Sequence, residues 1–219
     1  MVSGAVVASN LHERTTVRGV SGDITLAGVH GSATINTVSG AITAEQVTGD
    51  IKVSAISGAI TVIAGAGGRI DLNTVSGNLT LDLEDPVPSE VNLQCVSGAM
   101  TIRLPHDPDI KVDLSTAHGQ AATSFPEITE RGWHNTRQLT GQIGAGTARL
   151  RGNTVSGAVT LLRRSAEDEL DAEFAEEFAE DHSADFAPDI SGNSSGESLP
   201  TDAVHDAPPV TDQKDEESR

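Results

Sequence analysis

One tripeptide recurs through most of this chain in a fixed phase. Val2-Ser3-Gly4, Val20-Ser21-Gly22, Val38-Ser39-Gly40, Ile56-Ser57-Gly58, Val75-Ser76-Gly77 and Val96-Ser97-Gly98 follow one another at intervals of 18, 18, 18, 19 and 21 residues. Val155-Ser156-Gly157 returns later in the same context. A short fixed period marks a repeat architecture in which no unit buries its apolar face alone and each stacks on the last. A weaker copy starts about half a period after each tripeptide, at Leu11, Val29, Val47, Ala66, Val87 and Pro108.

Counting the first residue of each half-repeat as position zero, positions zero, four and six are mostly apolar. Examples are Val20, Ile24 and Leu26; Val29, Ala33 and Ile35; Val47, Ile51 and Val53; Ile56, Ile60 and Val62. Apolar residues at four and six around a polar one are strand alternation, with one side in and one side out. The position-zero residue is expected to anchor inward as well, so Val38, Ile42, Val47, Ile51, Ile56 and Ile60 all belong to the expected core. Position five is usually threonine (Thr25, Thr34, Thr43, Thr61, Thr80, Thr101, Thr160), a β-branched residue suited to the half-exposed side of a strand. The glycines Gly22, Gly40, Gly49, Gly58, Gly77, Gly98 and Gly157 fall where the chain must turn, and glycine reaches positive φ without a Cβ penalty.

Each unit therefore reads as apolar anchor, tight turn and short strand. The expected fold is all-β, a parallel β-solenoid (β-helix) of about eight coils of roughly 18 residues, rising about 4.8 Å per coil. One Trp, four Phe and no Tyr fit a narrow aliphatic interior.

Charge divides the chain near Ser165. Residues 1–164 carry 12 Lys and Arg against 14 Asp and Glu, whereas residues 165–219 carry 2 against 18. The expected domains are a solenoid over 1–164, an acidic amphipathic helix over 165–181 and a disordered acidic tail over 182–219. Ser165 and Asp168 suit a helix start, and Leu170, Phe174 and Phe178 fall on one face, the expected partner contact. Its target is either a partner protein or an open solenoid end after Leu161-Leu162. The tail is too polar to repay ordering.

A near-neutral solenoid supplies no basic stripe for phosphates, so no nucleic-acid partner is expected. No stretch approaches the ~20 apolar residues of a membrane span. No leader precedes the first repeat, so the chain as written reads as cytoplasmic, with a cell-surface location requiring an upstream start. A repeat that opens at Met1 exposes strand edges, which points to self-association through the solenoid ends. Cys95 is alone, so no intrachain disulfide forms. Its place just before an inward Val96 is structural.

No acid, base and nucleophile arrangement stands out, and no cofactor, metal or enzymatic activity is expected. His106-Asp107-Pro108-Asp109 has the composition of a turn. Gly65-Ala66-Gly67-Gly68-Arg69-Ile70-Asp71 is similar to one calcium-binding nonapeptide of β-roll toxins but occurs once, as a corner expansion would. Residues 118–154 break the period and hold Phe125-Pro126 and Trp133. This excursion is expected to be a lid that packs the Trp133 ring over the end of the core, with a partner-binding loop as the alternative.

Alternation of Thr-Val-Ser-Gly-x-Ile-Thr with Val47-Thr48-Gly49-Asp50-Ile51, then Gly144-Ala145-Gly146 and Asn153-Thr154-Val155-Ser156-Gly157-Ala158-Val159-Thr160-Leu161, resembles a bacterial family. It is the adhesin-type family of β-strand-repeat proteins, also called toastrack domains, and the resemblance covers roughly residues 1–164. The resemblance implies a solenoid found in surface-adhesion or envelope-stress settings, without catalytic residues. The expected function is a non-catalytic binding or scaffold module with a protein or cell-surface partner. The alternative is a self-assembling cytoskeletal β-helix like the bactofilins.

Overall fold

The computed structural model describes residues 4–65 and 68–164. The helix and tail expected over 165–219, including Leu170, Phe174 and Phe178, lie outside the described residues. Within them the chain is all-β, with strands packed as two sheets around an aliphatic core.

Each of the first coils gives one strand to each sheet. They are β1 (Val6–Leu11) with β2 (Thr15–Arg18), β3 (Ile24–Val29) with β4 (Ala33–Ser39), and β5 (Ile42–Val47) with β6 (Ile51–Ser57). Next come β7 (Ile60–Ala64) with β8 (Arg69–Ser76), and β9 (Leu79–Leu83) with β10 (Glu90–Ser97). The odd-numbered strands pair in parallel as sheet I and the even-numbered ones as sheet II. Stacking places like on like: Ile24, Ile42, Ile60 and Leu79 form one buried column, and Ile35, Val53, Leu72 and Leu93 another.

Beyond β11 (Met100–Leu104) the order of the stack departs from the order of the sequence. β12 (Ile110–His118) and β13 (Ala121–Thr123) do not pair with β10 and β11. A hairpin of β14 (Ile128–Trp133) and β15 (Thr136–Ile143) follows, and the chain then turns back. β16 (Ala148–Ser156) enters between β10 and β12, parallel to both, pairing Gly152 with Leu93 on one side and with Leu114 on the other. β17 (Val159–Arg163) enters between β11 and β13 in the same way. Leu161 is therefore buried between β11 and β13, with β13 covering it, and not at an open end.

The corner glycines record the same order. A Cβ on Gly157 would overlap the carbonyl oxygen of Gly98, and one on Gly119 would overlap that of Gly157. At Gly152 an added Cβ would lie 2.6 Å from Leu114 Cδ2 and 3.0 Å from Met100 Sδ, so larger neighbours already occupy its space.

Polar contacts hold the inserted pair at both ends. Asp109 accepts backbone N–H groups from Ala145 and Gly146 and the Thr147 hydroxyl, which shapes the turn leading into β16. After β17, the Arg164 guanidinium lies 3.4 Å from Asp82 and 3.5 Å from Glu84, and Arg103 approaches Asp82 from the next strand at 3.3 Å. The Arg163 guanidinium sits 4.8 Å above the Phe125 ring.

The β14–β15 hairpin lies antiparallel on β12 and closes this end with Phe125, Ile128 and Leu139, all buried. The excursion does cover the core, but not with the expected ring. Trp133 stands at the hairpin tip and is 78% exposed. A tight turn at Trp133–Thr136, with His134 at φ 54°, carries the side chain beyond the sheet.

A second correction concerns the Val-Ser-Gly anchors. Val38 and Ile56, expected inside, are exposed, as are Val20, Val75, Val96 and Val155. The strands of sheet II run on to the serine, so alternation from Ile35 puts Asn36 out, Thr37 in and Val38 out. Small residues fill the interior of that corner: Thr37, Ala55, Thr74, Cys95, Thr154 and Thr116, all buried. Cys95 is thus the inward residue and Val96 the outward one.

Candidate functional site

Six of those aliphatics make one continuous feature. The neighbours of each pair in register across sheet II (Ser21 with Ser39, Ser39 with Ser57, Ser57 with Ser76, Ser76 with Ser97, Ser97 with Ser156). Val20, Val38, Ile56, Val75, Val96 and Val155 consequently stand above one another as a ridge along the corner, each 38–53% exposed. The intercalated strand completes it, because Val155 enters directly beside Val96. The corner can turn this sharply because Gly22, Gly40, Gly58, Gly77, Gly98 and Gly157 take φ between 121° and 145°. Gly49 belongs to a different corner, where its missing Cβ gives room to the Gly31 carbonyl.

Neutral columns flank the ridge. On the strand side run Asn36, Ser54, Asn73, Gln94 and Asn153; on the turn side run Ser39, Ser57, Ser76, Ser97 and Ser156. No charged side chain interrupts these columns from β4 to β16. The next column along is different, with Lys52, Asp71, Asn92, Arg151 and Asp113 in succession. Its partners include Asn92 Nδ2 donating to Asp71 Oδ1 at 3.0 Å and Gln138 Nε2 donating to Asp113 Oδ1 at 2.9 Å.

Beside the ridge lies a shallow groove of about 540 Å³, lined among others by Asn73, Thr74, Val75, Cys95, Val96 and Val155. Thr74 lies at its floor as an inward residue, with its hydroxyl buried away from the groove and without a hydrogen-bond partner. A smaller pit of about 210 Å³ surrounds the inserted strand, between Gln94, Asp113, Ser115, Arg151 and Asn153. Burial pushes the Cys95 thiol above its ordinary pKa, against weaker opposing hydrogen bonds from Thr154 and Ser97, so the sulfur stays protonated and poorly nucleophilic near neutrality.

The remaining sequence candidates are spread out. Six of the seven threonines (Thr25, Thr43, Thr61, Thr80, Thr101, Thr160) form one outward column on sheet I, while Thr34 lies in sheet II beside Lys52. In the His106–Asp109 turn, His106 meets Asp107 at 3.3 Å, while Asp109 is occupied by the turn into β16. Of the Gly65–Asp71 segment, Ala66 and Gly67 lie outside the described residues; Asp71 pairs with Arg69 at 3.1 Å. Among the described residues no three His, Cys, Asp or Glu gather as a metal site, and no helix is long and apolar enough to cross a membrane.

Sequence reasoning missed the ridge. The available signal was period-two counting carried through the small corner residues, which turns every Val-Ser-Gly valine outward.

Parallel strands stacked in two sheets, with one neutral outer stripe repeated coil after coil, define a β-repeat scaffold. The family model described as Toastrack DUF4097 matches residues 3–162, and the chain belongs to that family. Nothing among curated proteins or solved structures matches it.

Proposed function

We propose that this protein is a non-catalytic interaction scaffold of the adhesin type, which presents the outer face of sheet II to a protein or cell-surface partner. The ridge is the observation that carries this reading. Six aliphatics, each 38–53% exposed and lined up over five strands and the segment after β2, form a contiguous apolar surface of the kind that marks interaction sites. Isolated exposed valines would mean nothing.

The bactofilin-like alternative needs two ends that present parallel strand edges. The β14–β15 end instead presents an antiparallel hairpin whose outer residues include Glu130, Arg131 and Arg137, which favours association through the side of the solenoid.

Binding of purified protein to envelope fractions tests the reading, comparing the natural chain with Val75→Asp/Val96→Asp. The variant is expected to lose at least about tenfold in affinity while its melting stays unchanged, since these side chains are outward. Equal binding by both would remove the ridge from the function. Saturable turnover of an ester, phosphate or polysaccharide, abolished by one substitution, would overturn the non-catalytic assignment.

A further inference from the structure

We infer that the partner seated on the ridge is a second copy of this chain, docked face to face about a two-fold axis. The inference rests on the scaffold reading and names the occupant of that same face.

Shape comes first. Ridge and groove run side by side along the same corner, the ridge at Val75, Val96 and Val155 and the groove over Thr74 and Cys95. A two-fold axis lying in the interface, parallel to the ridge, lays the ridge of each copy into the groove of the other. That is the self-complementary arrangement a symmetric dimer requires. The spacing matches automatically, because both ridges carry one β-branched side chain per strand, about 4.8 Å apart.

Charge supports the same occupant. Residues 1–164 carry 12 Lys and Arg against 14 Asp and Glu, so two copies of the near-neutral solenoid meet little net repulsion and only local charges decide where they can dock. The stripe from the amide column to the serine column is the part of sheet II that carries no charge from β4 to β16, bracketed by Arg18 at one end and His118 at the other. A basic partner would find nothing to pair with there, whereas an identical neutral stripe meets no penalty.

Size allows a specific interface at the low end of the range. Six ridge positions span about 24 Å, and with their flanking columns they cover on the order of 600 Å² per copy. The total of about 1,200 Å² is the lower edge of stable interfaces.

Sedimentation velocity on the full chain, from about 1 to about 300 µM, tests this across the affinity range of such an interface. The natural chain is expected to pass from monomer to dimer. Val75→Asp/Val96→Asp is expected to weaken dimerisation at least about thirtyfold with unchanged circular dichroism and melting. The milder Val75→Ser/Val96→Ser should weaken it about tenfold, and Thr61→Asp on sheet I should leave it alone. A natural chain that stays monomeric throughout, or ridge variants that associate like it, would overturn the inference. So would a dimer lost on removing residues 165–219 with the ridge intact. Should the chain stay monomeric while the Asp variant still loses envelope binding, self-docking fails and the scaffold reading stands. If neither property responds to the Asp pair, both fail.

Discussion

The coils from β3 to β11 and the coil made by β16 and β17 share one sequence pattern and differ in how they reach their places. The first set stacks in chain order, each strand pairing with the coil before it. The second enters a slot between coils that precede it in sequence, after the chain has already built β12 to β15. The repeat motif therefore dictates the shape of a coil, namely a corner glycine, an outward valine and inward aliphatics. The motif does not dictate position in the stack, since β16 and β17 carry it and yet lie between strands that precede them in sequence. For the surface the consequence is direct, since insertion puts Val155 against Val96 and lengthens the ridge.

The largest expected effect comes from charge placed inside either kind of coil. Ile60→Asp and Leu161→Asp each put a carboxylate among fully buried aliphatics and should each cost more than about 4 kcal/mol, enough to prevent folding. Leu161 at an open end would behave like half-buried Leu11, and Leu161→Asp would leave soluble, folded protein. Thr61→Asp, on the outward side, should shift stability by less than about 0.5 kcal/mol. Circular dichroism and soluble yield separate these outcomes.

Corner glycines should give the next largest losses, equal in both regions. Gly40→Ala and Gly157→Ala each meet the backbone of the adjacent coil and a φ that L residues avoid, and each should lose roughly 2–4 kcal/mol in denaturant unfolding. Gly65→Ala meets nothing closer than the Glu84 side chain at 3.7 Å and should be close to neutral. A Gly157→Ala protein as stable as Gly65→Ala would mean that the inserted coil does not rest on Gly98.

A smaller and more selective effect is expected at Gly152. Gly152→Ala crowds Leu114 first and Met100 next, and should cost about 1 kcal/mol. Met100→Ala frees that space, so the double mutant should show a coupling of at least about 0.5 kcal/mol in a mutant cycle. Chain-order stacking would separate the two residues by a strand, and the effects would then simply add.

The smallest effect belongs to the ridge. Val38→Ser and Val155→Ser should each change stability by less than about 0.5 kcal/mol, because the side chains face outward. A loss near 2 kcal/mol would restore the inward facing expected from the half-repeat pattern.

Much of the interior was legible in the sequence. Alternation at Ile24 and Leu26, Ile42 and Ala44, and Ile60 and Val62 reads directly as the inward side of sheet I, and all are buried. The facing of the valines was not legible from hydrophobicity, because the inward corner residues Thr37, Thr74 and Thr154 look like surface residues. Their size suits the corner, and the hydroxyl of the corresponding Thr116 bonds the Gly157 carbonyl at 3.0 Å. Insertion of β16 left only a faint trace, a glycine at inward position 152 where other coils carry Val53, Leu72 or Leu93. No local pattern encodes which two strands will flank a third. The candidate face went unread for the first of these reasons, since a ridge assigned to the core cannot be seen as a surface.

Amide-to-amide and amide-to-Hα nuclear Overhauser contacts across sheet II, measured on deuterated full-length protein, test the intercalation most directly. Parallel strands at about 4.8 Å give such contacts only between immediate neighbours. The structure predicts contacts linking Asn153 to Gln94 on one side and to Ser115 on the other, with none joining Gln94 to Ser115. Contacts between Gln94 and Ser115, with Asn153 touching Ser115 alone, would mean that the coils stack in chain order, and would contradict the account.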